Sequence, residues 1–267
     1  MTLFISNQYL HAMIGIVGGV GPYAGLDLLR KVYENTEALR DQDHLDTILI
    51  SLPGSIVDRT EYLQGEVAEN PGFAISRVLL SLESAGAKVA GIPCNTAHSD
   101  PVFKVVEDEL FRAGSTLRLL SMIGETVDII DKELPGIRKI GVLSTTGTYR
   151  SGLYKKTLEV KGYIVVRPTV HIQQSHIHPA IYNAEYGIKA SPDPVRSAAR
   201  EGLMAGFEYL AEMGAEAVIL GCTEIPLAFP VGKVEGMITI DPTMILARAL
   251  IREYCPEKLK PCSYVED

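Results

Sequence analysis

Two short stretches carry the residue types best suited to acid–base or covalent chemistry: "GIPCNTAH", which holds Cys94, and "LGCTE", which holds Cys222. In each, an apolar run that reads as a buried strand ends in a thiol, and the residues after it favour the start of a helix. A thiol so placed is either a packed core residue or a nucleophile or base on display. A cysteine acting alone as a covalent nucleophile wants a histidine or another base beside it. Two thiols facing one substrate suit a different task, in which one removes a proton from a carbon and the other delivers a proton to the opposite face. That is racemisation without a cofactor. About 3% of a thiol with a pKa near 8.5 is already thiolate at neutral pH, and a helix N-terminus or a cation nearby raises that fraction. The backbone N–H groups after each cysteine, with Asn and Thr side chains, are of the kind that bind a carboxylate.

The elements that must position these thiols occur twice. "MIGIVGG" (13–19) and "RKIGVLSTTGT" (138–148) each read as a buried strand and a tight turn, followed by the helical stretches "AGLDLLRKVYENTEAL" and "YRSGLYKKTLEVKG". The second stretch ends at a glycine suited to a C-cap. Later, "AISRVLLSLESAGAKVAGIPCNT" and "GLMAGFEYLAEMGAEAVILGCTE" each give a helix, a glycine stop, a strand and a cysteine. Gly15 precedes Cys94 by 79 positions and Gly141 precedes Cys222 by 81, while Gly86 and Gly214 each precede their cysteine by 8. This is an internal repeat too long for a solenoid unit. Strands alternating with helices predict an α/β fold of two pseudo-symmetric lobes, each a mainly parallel sheet flanked by helices. Ligands bind beyond the carboxyl ends of such strands, where both cysteines lie, so the site is expected in the cleft between lobes. The expected boundaries are 13–118 for lobe 1 and 119–225 for lobe 2, with residues 1–12 an N-terminal extension. "GMITI" and "DPTMILARALIREY" follow as a strand and a helix with Asp241 as N-cap and Pro242 at N1. This tail, 226–267, has no evident counterpart in the first half and is expected to cross back onto lobe 1.

Composition removes several function classes. The 267 residues carry a net charge of −8, which argues against a nucleic-acid or anionic-membrane surface. No apolar run reaches the roughly 18 residues a bilayer span requires, and the expected location is the cytoplasm. The four cysteines form no CxxC pair, and Cys255 and Cys262, in a polar tail, read as free thiols without a role. "GIVGGVGPYAG" lacks the GxGxxG order of a dinucleotide cradle.

"GIVGGVGP", "DRT", "PCNTAH", "LSTTGTYRSGLY", "GIKA" and "LGCTE" stand in the order seen in the aspartate/glutamate racemase family, which the chain resembles from about Met13 to Tyr254. The resemblance implies two pseudo-symmetric α/β lobes, a two-cysteine mechanism with no cofactor and no metal, an acidic amino acid as substrate, and a homodimer. Cys94 and Cys222 match the catalytic thiols. Arg59 matches an arginine that serves the substrate's carboxylates, Lys189 a lysine near the side-chain carboxylate, and Asn95, Thr96 and Thr223 the residues gripping the α-carboxylate. Glu224 resembles the aspartate or broad-specificity branch, because the glutamate branch typically carries His there and begins with an Asp-Ser-Gly type loop. Val20 stands where a Met is common, and "SLPGSIVDRT" replaces a shorter approach to the arginine; both border the specificity pocket. The resulting expectation is an isomerase, an aspartate racemase first, with a glutamate or broad-specificity racemase, a maleate-isomerase-like or decarboxylase-like enzyme, and a non-catalytic two-lobed binding protein as alternatives.

Some residues stay open at this level. Thr145 and Thr148, in the second lobe's turn, either contact ligand or close the turn, and His98 either tunes Cys94 or packs. His171, His176 and His178 suggest a metal, but no Cys or carboxylate stands at ligand spacing, so solvated or capping roles are favoured.

Overall fold

A computed structural model describes residues 12–229 and 232–261. The expected extension lies outside the described residues except for Ala12, as does Cys262. The first sheet comprises β1 (Met13–Gly18), β2 (Thr47–Ser51), β3 (Ala87–Gly91) and β4 (Arg118–Leu120), in the order β2-β1-β3-β4. The second comprises β5 (Lys139–Ser144), β6 (Ile164–Val166), β7 (Ala217–Gly221), β8 (Lys233–Val234) and β9 (Met237–Ile240), in the order β6-β5-β7-β9-β8. All pairings are parallel except β8 with β9. The central strands β1 and β7 are apolar along their length and buried on both faces, the pattern that helices covering both sides of a parallel sheet impose.

The first half contributes the helices α1 (Pro22–Glu34), α2 (Arg59–Gln64), α3 (Pro71–Ser84), α4 (Asp100–Arg112) and α5 (Met122–Glu133). The second contributes α6 (Thr146–Ser151), α7 (Leu153–Val160), α8 (Val170–Ile172), α9 (His178–Tyr182), α10 (Ser197–Glu212), α11 (Ile225–Ala228) and α12 (Pro242–Tyr254), with a π-turn at Gln173–Ile177 between α8 and α9. Helix α1 stops earlier than its periodicity suggests. The Asn35 side chain donates to Lys31 O at 2.8 Å, and the chain then bridges from Thr36 to Leu259. The predicted helix 149–162 is two helices, broken where Gly152 adopts φ 64°, a left-handed geometry that a residue with a Cβ resists.

The tail corrects the sequence reading in its strand portion and not in its helix. Residues 232–240 do not cross to the first lobe, since β9 pairs with β7 and completes the second sheet. The tail does have a counterpart: β4, N-cap Ser121 and α5 repeat as β9, N-cap Asp241 and α12. The two helices are exchanged between lobes. Helix α5 leaves the first sheet and buries Ile123, Val127 and Ile130 with Ile140, Val142 and Tyr154 of the second lobe. Helix α12 leaves the second sheet and buries Leu246 and Leu250 with Ile14, Ile16 and Leu28 of the first. At that seam Lys31 of α1 sits buried between Asp27 and Asp241, bonding Asp241 Oδ2 at 2.5 Å. This exchange holds the strand ends of both sheets toward one cleft.

Candidate active site

The cleft lies at the carboxyl ends of β1, β3, β5 and β7, with a volume of about 260 Å³. All ten residues singled out from the sequence line it: Cys94, Cys222, Arg59, Asn95, Thr96, Lys189, Thr223, Glu224, Val20 and Thr145. Both thiols are buried, Cys94 at 7% and Cys222 at 3% exposure.

Arg59 arrives through local capping. Asp58 accepts hydrogen bonds from the backbone N–H groups of Thr60 (2.7 Å) and Glu61 (3.2 Å), which starts α2 with Arg59 as its first residue. The guanidinium turns inward and donates to Val57 O at 3.1 Å and to Val20 O. The second bond ties α2 to the β1–α1 loop and explains the presence of Val20 in the cleft. Burial works against the guanidinium's charge, yet its pKa is raised by the Cys94 thiol, Asp58 and Tyr182 beside it. Its buried Nε has no hydrogen-bond partner among the described residues.

On the first lobe, Asn95 and Thr96 follow Cys94 directly. Thr96 Oγ1 meets Thr145 Oγ1 at 2.9 Å and Thr148 Oγ1 at 3.0 Å, so the two turns touch across the lobes. Thr145 also caps α6 by accepting from Thr148 N, so it closes its turn while lining the cleft. Gly147 lies under this contact: a Cβ there would come within 2.7 Å of Thr60 Oγ1 and 2.8 Å of Thr96 Cγ2. The helix start expected after each thiol is smaller than the sequence suggests. Cys94 is followed by a single 3₁₀ turn, Thr96–His98, before α4 begins at Asp100, and Cys222 by the four-residue α11. So little aligned backbone carries only a small dipole, which leaves charge stabilisation to side chains.

His98 settles as a packing residue. Its Nε2 accepts from Met122 N–H at 3.2 Å, so Nδ1 carries the proton and donates to Cys94 O at 2.9 Å. Burial pulls its pKa down to about 4, and the ring stacks on Phe103. It holds the Cys94 backbone and not the sulfur.

The second lobe presents a different set around its thiol. Cys222 Sγ donates to Glu224 Oε2 at 3.0 Å, and Thr223 Oγ1 donates to the same oxygen at 3.2 Å. Lys189 Nζ stands 3.7 Å from Glu224 Oε1 and 5.1 Å from the centre of the Tyr182 ring. Burial and the Glu224 carboxylate push Cys222 well above the usual thiol range. Burial pushes Glu224 up as well, but Lys189, the Cys222 thiol, Arg59 and Thr223 together hold it below its ordinary value. Lys189, despite burial, is raised by Glu224 and stays charged. The two thiols are therefore unlike: Cys94 lies beside a guanidinium and Cys222 beside a carboxylate.

Four lining residues were not singled out: Asp58, Thr60, Tyr182 and Gly221. Asp58 and Thr60 flank Arg59 within "DRT", which was signal enough to find them. Tyr182 gave none, because α9 joins the cleft through a long-range bond from its hydroxyl to Thr60 Oγ1 (2.9 Å). Next to the cleft a wider mouth of about 600 Å³ shares Val20, Asp58, Arg59, Lys189 and Glu224 with it and adds Tyr23, Ile56 and Pro192. Of the histidines, His178 meets Thr146 Oγ1 at 3.0 Å and stacks on Tyr182, while His171 and His176 touch edge to face. No group of three or more His, Cys, Asp or Glu side chains able to hold a metal occurs among the described residues. Nor is any helix among them long and apolar enough to cross a membrane. Cys255 is half-buried and donates to Glu257 Oε1 at 3.0 Å.

The sequence profile of the Asp/Glu/Hydantoin racemase family matches residues 17–250. The chain belongs to this family. It is 26% identical over 247 residues to the broad specificity amino-acid racemase RacX of Bacillus subtilis (strain 168), covering 91% of this chain and 98% of that one. The aspartate racemase of Picrophilus torridus superposes with a TM-score of 0.72 at 29% identity, over 91% of this chain and 94% of that one. An aspartate racemase homologue from Pyrococcus horikoshii OT3 superposes with a TM-score of 0.65 at 28% identity, over 91% and 99% of the two chains. Membership of the Asp/Glu/Hydantoin racemase family makes this protein an isomerase of the racemase type, in agreement with the α/β two-lobed fold and the resemblance read from its motifs.

Proposed function

We propose that the protein is an aspartate racemase in which Cys94 and Cys222 act as opposed acid and base. The observation that carries this reading is that two buried thiols from equivalent strand ends line one small cleft together with two cations, the buried Arg59 and the half-buried Lys189. A dicarboxylate offers two anionic groups to such a cleft. The α-carboxylate falls to Asn95, Thr96 and Thr223, beside the cysteines, and the side-chain carboxylate to Lys189 at the mouth, with Arg59 serving both. Arg59 lies beside the Cys94 sulfur, whereas the Glu224 carboxylate keeps the Cys222 proton on its sulfur. In one direction the Cys94 thiolate takes the α-proton. The electron pair of that C–H bond spreads into the α-carboxylate, and Cys222 donates its proton to the opposite face of the carbon. The enzyme is left with a Cys94 thiol and a Cys222 thiolate, the pair that runs the reverse reaction. An α-proton beside a carboxylate is very weakly acidic, so donors aimed at that carboxylate must stabilise the charge that develops, in a site that excludes water.

L-Aspartate incubated with the protein in D₂O is expected to yield α-deuterated D-aspartate, and Cys94→Ser or Cys222→Ser to abolish racemisation. Absence of α-exchange across a panel of acidic and neutral amino acids overturns the racemase reading. A single-cysteine variant with full activity overturns the two-base mechanism. Exchange with neutral or basic amino acids but not aspartate replaces aspartate by a broad-specificity reading, in keeping with the name of the Bacillus subtilis relative.

A further inference from the structure

Tyr154, the last residue of the stretch "LSTTGTYRSGLY", belongs to no part of the chemistry described so far. It sits in the first turn of α7, 1% exposed, with its ring in the apolar core of the second lobe beside Ile140, Val142 and Ile219. The ring also underlies the strand end that carries Cys222: a Cβ on Gly221 would touch Tyr154 Cε2 at 3.5 Å. Its hydroxyl crosses to the other lobe and donates to Asn95 Oδ1 at 2.5 Å. A tyrosine hydroxyl has one proton to give, and burial raises the pKa of Tyr154, so the phenol keeps that proton for Asn95. With its oxygen engaged, the Asn95 amide must turn its NH₂ the other way. Asn95 Nδ2 is buried and without a hydrogen-bond partner among the described residues, and Asn95 lines the cleft. An unpaired buried donor costs free energy unless a ligand supplies the acceptor.

We infer that Tyr154 is a positioning residue, reaching from the second lobe to lock the Asn95 amide with its N–H donors facing the substrate carboxylate. A primary amide rotated by half a turn presents its oxygen instead, and an oxygen facing a carboxylate repels it. Without the Tyr154 proton, no hydrogen bond among the described residues distinguishes the two rotamers. The lobes differ in this respect. The residue equivalent to Tyr154 in the first lobe, at the repeat offset from Gly141 to Gly15, is Leu28, a buried aliphatic side chain with no proton to offer. A tyrosine hydroxyl thus reaches from the second lobe to the residue after Cys94, with no tyrosine at the equivalent place in the first lobe to return the contact.

The inference rests on the racemase reading for its substrate, so its test has an arm that needs no turnover. Tyr154→Phe keeps the ring against Gly221 and removes only the proton. It is expected to raise KM for aspartate about tenfold, the effect of one misdirected hydrogen bond to a charged group, with a smaller change in kcat and little change in Tm. In an Asn95→Ala background the same substitution is expected to add nothing, because its effect passes through Asn95. An unchanged KM, or a full additional loss in the Asn95→Ala background, overturns the proposal. Binding of malonate, followed by calorimetry, repeats the comparison without catalysis: about tenfold weaker binding in Tyr154→Phe supports the positioning role, and equal binding refutes it. Should Tyr154→Phe fail to fold, ¹⁵N-labelled wild-type protein decides the matter. Malonate is expected to shift the Asn95 side-chain amide signals, assigned by their loss in Asn95→Ala; signals that do not move overturn the assignment. Malonate binding that behaves as expected in a protein that racemises nothing would leave Tyr154 in its role and remove the racemase reading alone.

Discussion

Glu224→Gln isolates the feature that makes the two thiols unlike. The substitution keeps the shape of the side chain and an oxygen able to accept from Cys222, but removes the charge. With Glu224 Oε2 3.0 Å from Cys222 Sγ, a thiolate there would be opposed by about 5 kcal/mol at an effective dielectric of roughly 20. Lys189, 3.7 Å from Glu224 Oε1, loses its partner at the same time and is freed to favour a Cys222 thiolate. Both changes act in one direction. The carboxylate raises the Cys222 pKa in the wild type, so neutralising it lowers that pKa and thiolate forms at lower pH. The assay is the rate of Cys222 alkylation by iodoacetamide against pH, read by mass spectrometry in a Cys94→Ser background. The alkylation profile of Glu224→Gln is expected to lie on the acidic side of its parent. In the Cys94-containing enzyme the same substitution is expected to slow turnover in the direction that needs Cys222 as a proton donor. A profile that stays in place, or moves to higher pH, refutes the assignment of Glu224 as the group that keeps Cys222 protonated.

Two further outcomes test the frame that carries the site. Lys31→Met leaves Asp27 and Asp241 buried without their shared cation, and a loss of about 3–5 kcal/mol of stability is expected in denaturant titration; a loss below about 1 kcal/mol would show the seam to be held by apolar packing alone. His98 titrates near pH 4 in the fold, against about 6.5 in the unfolded chain. Its contribution is therefore complete above pH 6.5 and is lost as pH falls toward 4, amounting to about 3 kcal/mol. A His98→Gln variant, compared with wild type by denaturation between pH 7 and 4, is expected to lack that part of the slope, and parallel curves would contradict it.

Much of the site was legible because the chemistry sits in local words. A cysteine after an apolar run, the Asp-Arg-Thr that carries Arg59 and the Cys-Thr-Glu that carries Cys222 are each compact enough to be recognised within a few residues. Their signals survive in one dimension, and the duplication doubled them. The alternation of strand and helix likewise sufficed for two parallel sheets, since only covered strands can be so uniformly apolar.

The remainder depends on contacts between residues far apart in the chain, which periodicity does not encode. The tail was expected to reach lobe 1, as α12 does, but the reciprocal crossing of α5 was invisible because an amphipathic helix specifies an apolar face and not the sheet that covers it. Tyr182 enters the cleft, and Tyr154 reaches Asn95, across separations of 122 and 59 residues. His98 reads equally well as base or packing residue until Met122 N–H occupies its second nitrogen. The sequence by itself determined which groups are present and at which strand ends they stand. Only the tertiary structure decided that one thiol faces a cation and the other a carboxylate, because charge acts through space and burial, and both are properties of the folded chain.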